Sequence, residues 1–212
     1  MNIKQATYLI SSPSYEKCPA GNRPEYAFIG RSNVGKSSLI NMICNNNKLA
    51  KTSAAPGKTQ MINHFEILSS DEKQKNNKWY LVDLPGYGFA KTSQTNRRRW
   101  EQMIENYLRK RSNLTNVFVL IDARLTPQKI DLSFIQQLNQ WQIPYTILFT
   151  KSDKEKQSLV DKNVRLFLEA LKQAQQFLPQ YFITSAIKKT GRDEVLQLIG
   201  EMNEEYEMGK NG

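Results

Sequence analysis

The sequence predicts an α/β fold, a single domain with a mostly parallel six-stranded sheet, one antiparallel edge strand and helices on both faces. Two observations predict it. Short apolar, β-rich runs alternate with longer segments whose apolar residues recur at helical spacing, the pattern of strands joined by right-handed crossovers. The first of these strand-to-helix junctions is a glycine-rich loop of the phosphate-binding type. A chain of 212 residues is long enough to enclose one sizeable core.

The strands are expected at Tyr26–Ile29, Met61–Leu68, Trp79–Val82, Val117–Asp122, Tyr145–Phe149 and Tyr181–Thr184. Met61–Leu68 and Trp79–Val82 are separated only by the polar stretch Ser69–Lys78, so they form a hairpin and one edge strand runs antiparallel. The helices are expected at Ser37–Cys44, Arg97–Lys110, Gln128–Trp141, Ser158–Phe177 and Asp193–Tyr206. In the fourth, Leu159, Val164, Phe167, Leu171 and Ala174 share one apolar side. Residues 1–24, with Pro13, Pro19 and Pro24, read as an irregular arm packed on a domain spanning 25–208, and 209–212 as a disordered tail.

Composition narrows the function. Hydrophobic residues at 39% and charged ones at 24% exclude a disordered chain, and no apolar run is long enough to span a bilayer. Met1–Tyr15 is mostly polar, unlike an export signal, which points to a cytoplasmic protein. The two cysteines, Cys18 and Cys44, have no metal-ligand spacing, so no zinc site is expected. A net charge of +10 favours a polyanionic partner, RNA before membrane, although a basic chain does not by that fact alone bind nucleic acid.

Three motifs carry the chemistry. Gly30-Arg31-Ser32-Asn33-Val34-Gly35-Lys36-Ser37 follows the first core strand and opens a helix. Its glycines let backbone N–H groups wrap phosphates, Lys36 reaches the β- and γ-phosphates, and Ser37 offers a hydroxyl to magnesium. Asp83-Leu84-Pro85-Gly86 ends the next strand, placing Asp83 to hold magnesium through water and the Gly86 amide to meet the γ-phosphate. Alone it reads equally as a Pro-Gly turn. Thr150-Lys151-Ser152-Asp153 decides the base: a carboxylate accepts both the N1–H and the exocyclic amine of guanine, a donor pair adenine lacks. The Lys151 stem packs along the purine.

With GRSNVGKSSLIN from Gly30, PGKTQMINHF from Pro56, VDLPGYGFAK from Val82 and TKSD from Thr150, the chain resembles the EngB/YsxC (YihA-type) family of bacterial GTPases, within the TrmE-Era-EngA-EngB-Septin-like superfamily. The resemblance covers nearly the whole chain. It implies a GTPase that switches between nucleotide states in large-ribosomal-subunit assembly, and with the basic charge it makes rRNA the expected contact of a chain expected to be a monomer. It assigns Thr59 to the first switch, meeting magnesium and γ-phosphate, and adds Ser38 and Gly57 to the nucleotide contacts. It matches Thr184, Ser185 and Ala186 to the signature whose backbone meets guanine O6. It also aligns Asn33 with an asparagine that holds potassium in some relatives, although asparagine also suits that loop's backbone.

Two further features bear on mechanism and partner. The place where many GTPases carry a water-orienting glutamine holds Tyr87, so slow hydrolysis is expected. From Gly88 to Arg111 stand seven cations, Lys91, Arg97, Arg98, Arg99, Arg109, Lys110 and Arg111, against Glu101 and Glu105. Arg97, Arg98 and Arg99 are the candidate RNA contacts, whereas Trp100 and Tyr107 read better as core aromatics. His64, the only histidine, reads as structural. A nucleotide-gated protein-interaction module for cell division and septation, without direct RNA binding, is the second functional reading. A small-molecule kinase is the third, and Asp153 argues against it.

Overall fold

The computed structural model describes residues 1–51, 61–71, 74–88, 94–175 and 177–210. Seven strands form one sheet: β1 (Asn2–Ser12), β2 (Glu25–Gly30), β3 (Ile62–Ser70), β4 (Asn76–Asp83), β5 (Leu114–Asp122), β6 (Tyr145–Thr150) and β7 (Tyr181–Ile183). Their order across the sheet is β1-β3-β4-β2-β5-β6-β7. Strands β4, β2, β5, β6 and β7 pair in parallel, and β3 pairs antiparallel with both β4 and β1. The α/β class, the parallel core and the β3–β4 hairpin match expectation.

The strand count does not. Six strands were expected and seven are present, because residues 2–12 of the anticipated irregular arm form β1 at the edge. Most of its side chains are exposed, so its alternation is invisible in sequence, and backbone pairing to β3 alone defines it. The edge strand beyond the hairpin is therefore β1, antiparallel to β3, which lies one place inside it.

Five helices cover the sheet: α1 (Lys36–Ile43), α2 (Gln94–Lys110), α3 (Lys129–Gln140), α4 (Gln157–Lys172) and α5 (Arg192–Lys210). Helix α4 stops five residues short of the expected Phe177, and α5 runs into the stretch expected to be a disordered tail. Successive residues of β2 face opposite sides, as the strand period requires. Ala27 and Ile29 join one core with Ile104 and Tyr107 of α2, Ile135 and Leu138 of α3, and Val160, Val164, Phe167 and Leu171 of α4. Tyr26 and Phe28 join the other, with Leu39, Ile40 and Ile43 of α1 and Val195 and Ile199 of α5. Each large apolar side chain so buried contributes about 1.5–3 kcal/mol.

An ionic cluster lies beneath α2. Glu25, fully buried at the start of β2, receives the Arg111 guanidinium at 2.8 Å and the Tyr107 hydroxyl, with His64 Nε2 at 3.4 Å. Burial alone would raise the Glu25 carboxyl, but His64 and Arg111 beside it win and hold it at about 2. His64 is thus a buried structural residue, and Tyr107 is core as expected.

Candidate nucleotide site

The parallel strands end on one side of the sheet, and their following loops converge there, the usual binding edge of an α/β fold. Strand β2 feeds the phosphate loop into α1. Gly35 caps that helix with φ +103, a left-handed conformation that glycine adopts without strain. Asn33 has φ +62, so the backbone alone accounts for an asparagine there.

At the end of β4, Asp83 accepts a hydrogen bond from the Lys36 ammonium, so the loop and the second motif meet as their spacing predicts. Gly86 is pressed against the loop: a methyl group there would sit 2.7 Å from the Gly30 carbonyl oxygen and 3.3 Å from the Ser32 nitrogen. Only glycine permits that approach. The Ser32 hydroxyl is buried with no hydrogen-bond partner among the described residues. Gly57, and Thr59 of the expected first switch, lie outside the described residues.

The base motif is tied to the phosphate loop twice. The Thr150 hydroxyl donates to the Val34 carbonyl at 2.6 Å. Lys151, at φ +61, donates its ammonium to the Asn33 carbonyl at 2.5 Å and to Asp122 Oδ2 at 2.8 Å. Its stem thereby passes beside Gly35. Asp153 Oδ1 accepts from the Ser185 hydroxyl at 2.7 Å, which holds the Asp153 carboxyl below the usual carboxylate range. Thr184 closes the corner, its hydroxyl donating to the Phe149 carbonyl at 3.0 Å and its own carbonyl accepting from Ser152 Oγ. Ser38, Ala186 and Ile187 line a cavity of about 320 Å³ beside α1.

Two acids went unread in the sequence. Asp122 ends β5, where it binds both Lys151 and Arg124; its place at the carboxyl end of a parallel strand was the available signal. Asp131, in the first turn of α3, accepts from Arg31 and Tyr87, residues 100 and 44 positions away, and no sequence signal marks it. The Arg31 side chain therefore turns toward α3.

The basic segment divides. Arg111 points inward to Glu25 and is not a patch residue, because a buried carboxylate needs a charged partner. Arg109 is paired with Glu105 and lies over the Trp141 ring, and Lys110 lies over Tyr15. Arg97 pairs with Glu101 across one turn, whereas Arg98 and Arg99 are exposed. Trp100 is half-buried, and Lys91 lies outside the described residues.

A phosphate loop, a strand-end aspartate followed by a close-packed glycine, and a Lys-Asp base motif define the class as a P-loop GTPase domain. Residues 25–151 match the family model described as 50S ribosome-binding GTPase. The chain is 51% identical over 205 residues to the probable GTP-binding protein EngB of Bacteroides fragilis, covering 97% of this chain and 98% of that one. It is 50% identical over 203 residues to its counterpart in Phocaeicola vulgatus, covering 96% and 98%. A crystal structure of a probable GTP-binding protein engB shares the fold at TM-score 0.59 and 22% identity, covering 85% of this chain and 99% of that one. The chain belongs to the EngB family of GTP-binding proteins: it is a GTPase, and GTP and GDP are its ligands.

Proposed function

We propose that this GTPase is a slow nucleotide switch in the assembly of the large ribosomal subunit, docking on rRNA from the cytoplasm as a monomer. The observation that carries this reading is the placement of exposed Arg98 and Arg99, with Arg97 beside them, in the first turns of α2, eleven to thirteen residues beyond Gly86. Nucleotide state can alter how such a segment is presented. The family description, a ribosome-binding GTPase, supports the same target. Among the described residues no helix is long and apolar enough to cross a membrane.

Gly30 to Ser38 are the residues for the phosphates, Lys36 for the β- and γ-oxygens, and Gly86 for the γ-phosphate. Thr150, Lys151, Asp153, Thr184, Ser185 and Ala186 are those for guanine. A hard dication suits oxygen donors such as the Ser37 hydroxyl, next to Lys36, and the Asp83 carboxylate, which Lys36 meets; magnesium would be held by these two, and by Thr59 in the resemblance. When bound, it neutralises charge on the phosphate oxygens. Asn33 would offer a side-chain oxygen to potassium. Tyr87, its hydroxyl engaged by Asp131, does not orient an attacking water, which agrees with slow hydrolysis.

The test is cosedimentation of the protein with large-subunit particles in the presence of a GTP analogue or GDP. Binding that favours one nucleotide supports the switch. Equal or absent binding in both states overturns it.

A further inference from the structure

Residues from three separate segments meet at the first turn of α3. Arg31 of the phosphate loop donates from Nε to Asp131 Oδ1 at 3.1 Å, and the Tyr87 hydroxyl donates to the same oxygen at 2.8 Å. Asp131 is 1% exposed and its bond to Tyr87 is buried, while the Arg31 side chain that reaches it remains partly exposed. The Tyr87 ring stacks on Phe134 of α3, with centroids 4.4 Å apart and planes 20° from parallel. The next residue, Gly88, has φ +78 and lies against Ile130, whose Cδ1 would be 2.5 Å from a methyl group placed there. Helix α3 therefore holds the backbone on the far side of Gly86 by both packing and hydrogen bonding.

That backbone is also joined to the phosphate loop. The Tyr87 N–H donates to the Gly30 carbonyl at 3.3 Å, and Arg31 and Tyr87 form an isolated parallel bridge. Between these ties sits Gly86, whose Cα hydrogen faces the Gly30 carbonyl and the Ser32 nitrogen. The Ser32 hydroxyl at the same spot is buried and without a partner among the described residues. A buried hydroxyl without a partner is costly, and a phosphate oxygen is an acceptor that would satisfy it.

We propose that Asp131 is a positioning residue for the terminal phosphate of GTP: by gathering Arg31 and Tyr87 on one carboxylate oxygen, it keeps Gly86 against Ser32. The two residues then converge where a third phosphate, present in GTP and missing from GDP, is bound. The inference rests on the reading of Gly86 as the γ-phosphate contact. It assigns Tyr87 a holding role in place of the water-orienting one that its position suggests. It also gives a role to a buried carboxylate whose other oxygen, Asp131 Oδ2, has no hydrogen-bond partner among the described residues.

The experiment compares dissociation constants for a non-hydrolysable GTP analogue and for GDP in purified full-length variants, with the thermal midpoint of each. Tyr87→Phe keeps the ring on Phe134 and removes only the hydroxyl. Asp131→Ala removes the acceptor for both partners, and Asp131→Asn restores an acceptor oxygen. GTP-analogue affinity should fall about fivefold in Tyr87→Phe and about tenfold or more in Asp131→Ala, with GDP affinity within about twofold of wild type. Asp131→Asn should recover most of the difference.

Equal losses for both nucleotides, or unchanged affinities in folded variants, would make Asp131 a core residue only and overturn the proposal. If Asp131→Ala does not fold, Tyr87→Phe decides alone. Gly86→Ala separates the two levels. If it leaves the GTP-to-GDP ratio unchanged, the assignment of Gly86 itself fails. If it lowers the ratio while Tyr87→Phe and Asp131→Ala do not, only the role of Asp131 fails.

Discussion

The Lys151 ammonium bridges the Asn33 carbonyl of the phosphate loop and the Asp122 carboxylate at the end of β5. One side chain thus ties the base-reading loop to the phosphate-binding loop, 118 positions away in sequence. Lys151→Met keeps an apolar stem of similar length and removes the tie. Affinity for GTP and for GDP should fall together, by about tenfold, since a charge-assisted hydrogen bond is lost in each complex. Titration with fluorescent nucleotides checks this. A change confined to GTP would mean that Lys151 acts on the γ-phosphate instead.

Asp153→Asn should move preference from guanine toward xanthine nucleotides, because the amide presents a donor where xanthine O2 accepts. The Ser185 hydroxyl, now bonded to Asp153, can still find the amide oxygen, so the loop should keep its shape. Competition between GTP and XTP reads the outcome. An unchanged preference would make Asp153 a structural partner of Ser185 and nothing more.

Stability should depend on Glu25 in acid. Its carboxyl is held at about 2 against an ordinary 4.5, so its ionised form favours the folded state. That contribution is complete above pH 4.5 and fades as the pH falls toward 2. Glu25→Gln should lower stability at neutral pH by about 3–5 kcal/mol, because Arg111 loses its buried counter-charge. It should also flatten the acid limb of the stability profile. Urea denaturation at a series of pH values measures both, and an unaltered acid limb would place the acid sensitivity elsewhere.

Replacing Arg97, Arg98 and Arg99 with alanine should weaken binding to ribosomal particles and reduce its salt dependence by up to about one unit of slope per lost phosphate contact. Nucleotide affinity should survive, since none of the three touches a nucleotide motif. Particle binding at several salt concentrations, alongside GTP titration, is the measurement. An unchanged slope would make the cluster a solvated helix face.

What the sequence disclosed and what it hid have a common physical cause. Strands β2, β4, β5 and β6 are buried on both faces, so their apolar runs stand out and the motifs at their ends could be placed. Strand β1 is exposed along most of its length, and its one short apolar run, Tyr8–Ile10, is itself exposed and shows no alternation. Asp83 and Asp153 were legible because each sits in a short motif whose spacing is local. Asp131 was not, because its role exists only once α3 folds against Arg31 and Tyr87. Arg111 was misread for the same reason: its charge looks like its neighbours', and only the buried Glu25 sets it apart.

The anchoring of α2 has a mechanical consequence. Tyr107 and Arg111 fasten the far end of the helix to Glu25, deep in the sheet, while its near end carries Arg97, Arg98 and Arg99. The helix is therefore a lever with its fulcrum at Glu25. Ten residues of helix separate Tyr107 from Arg97, an arm of about 15 Å at 1.5 Å per residue. A tilt of about 15° about that fulcrum would carry the arginines about 4 Å, on the order of a ridge-to-groove shift between packed helices. A small tilt of α2 can thus become a displacement of three positive charges by several ångströms.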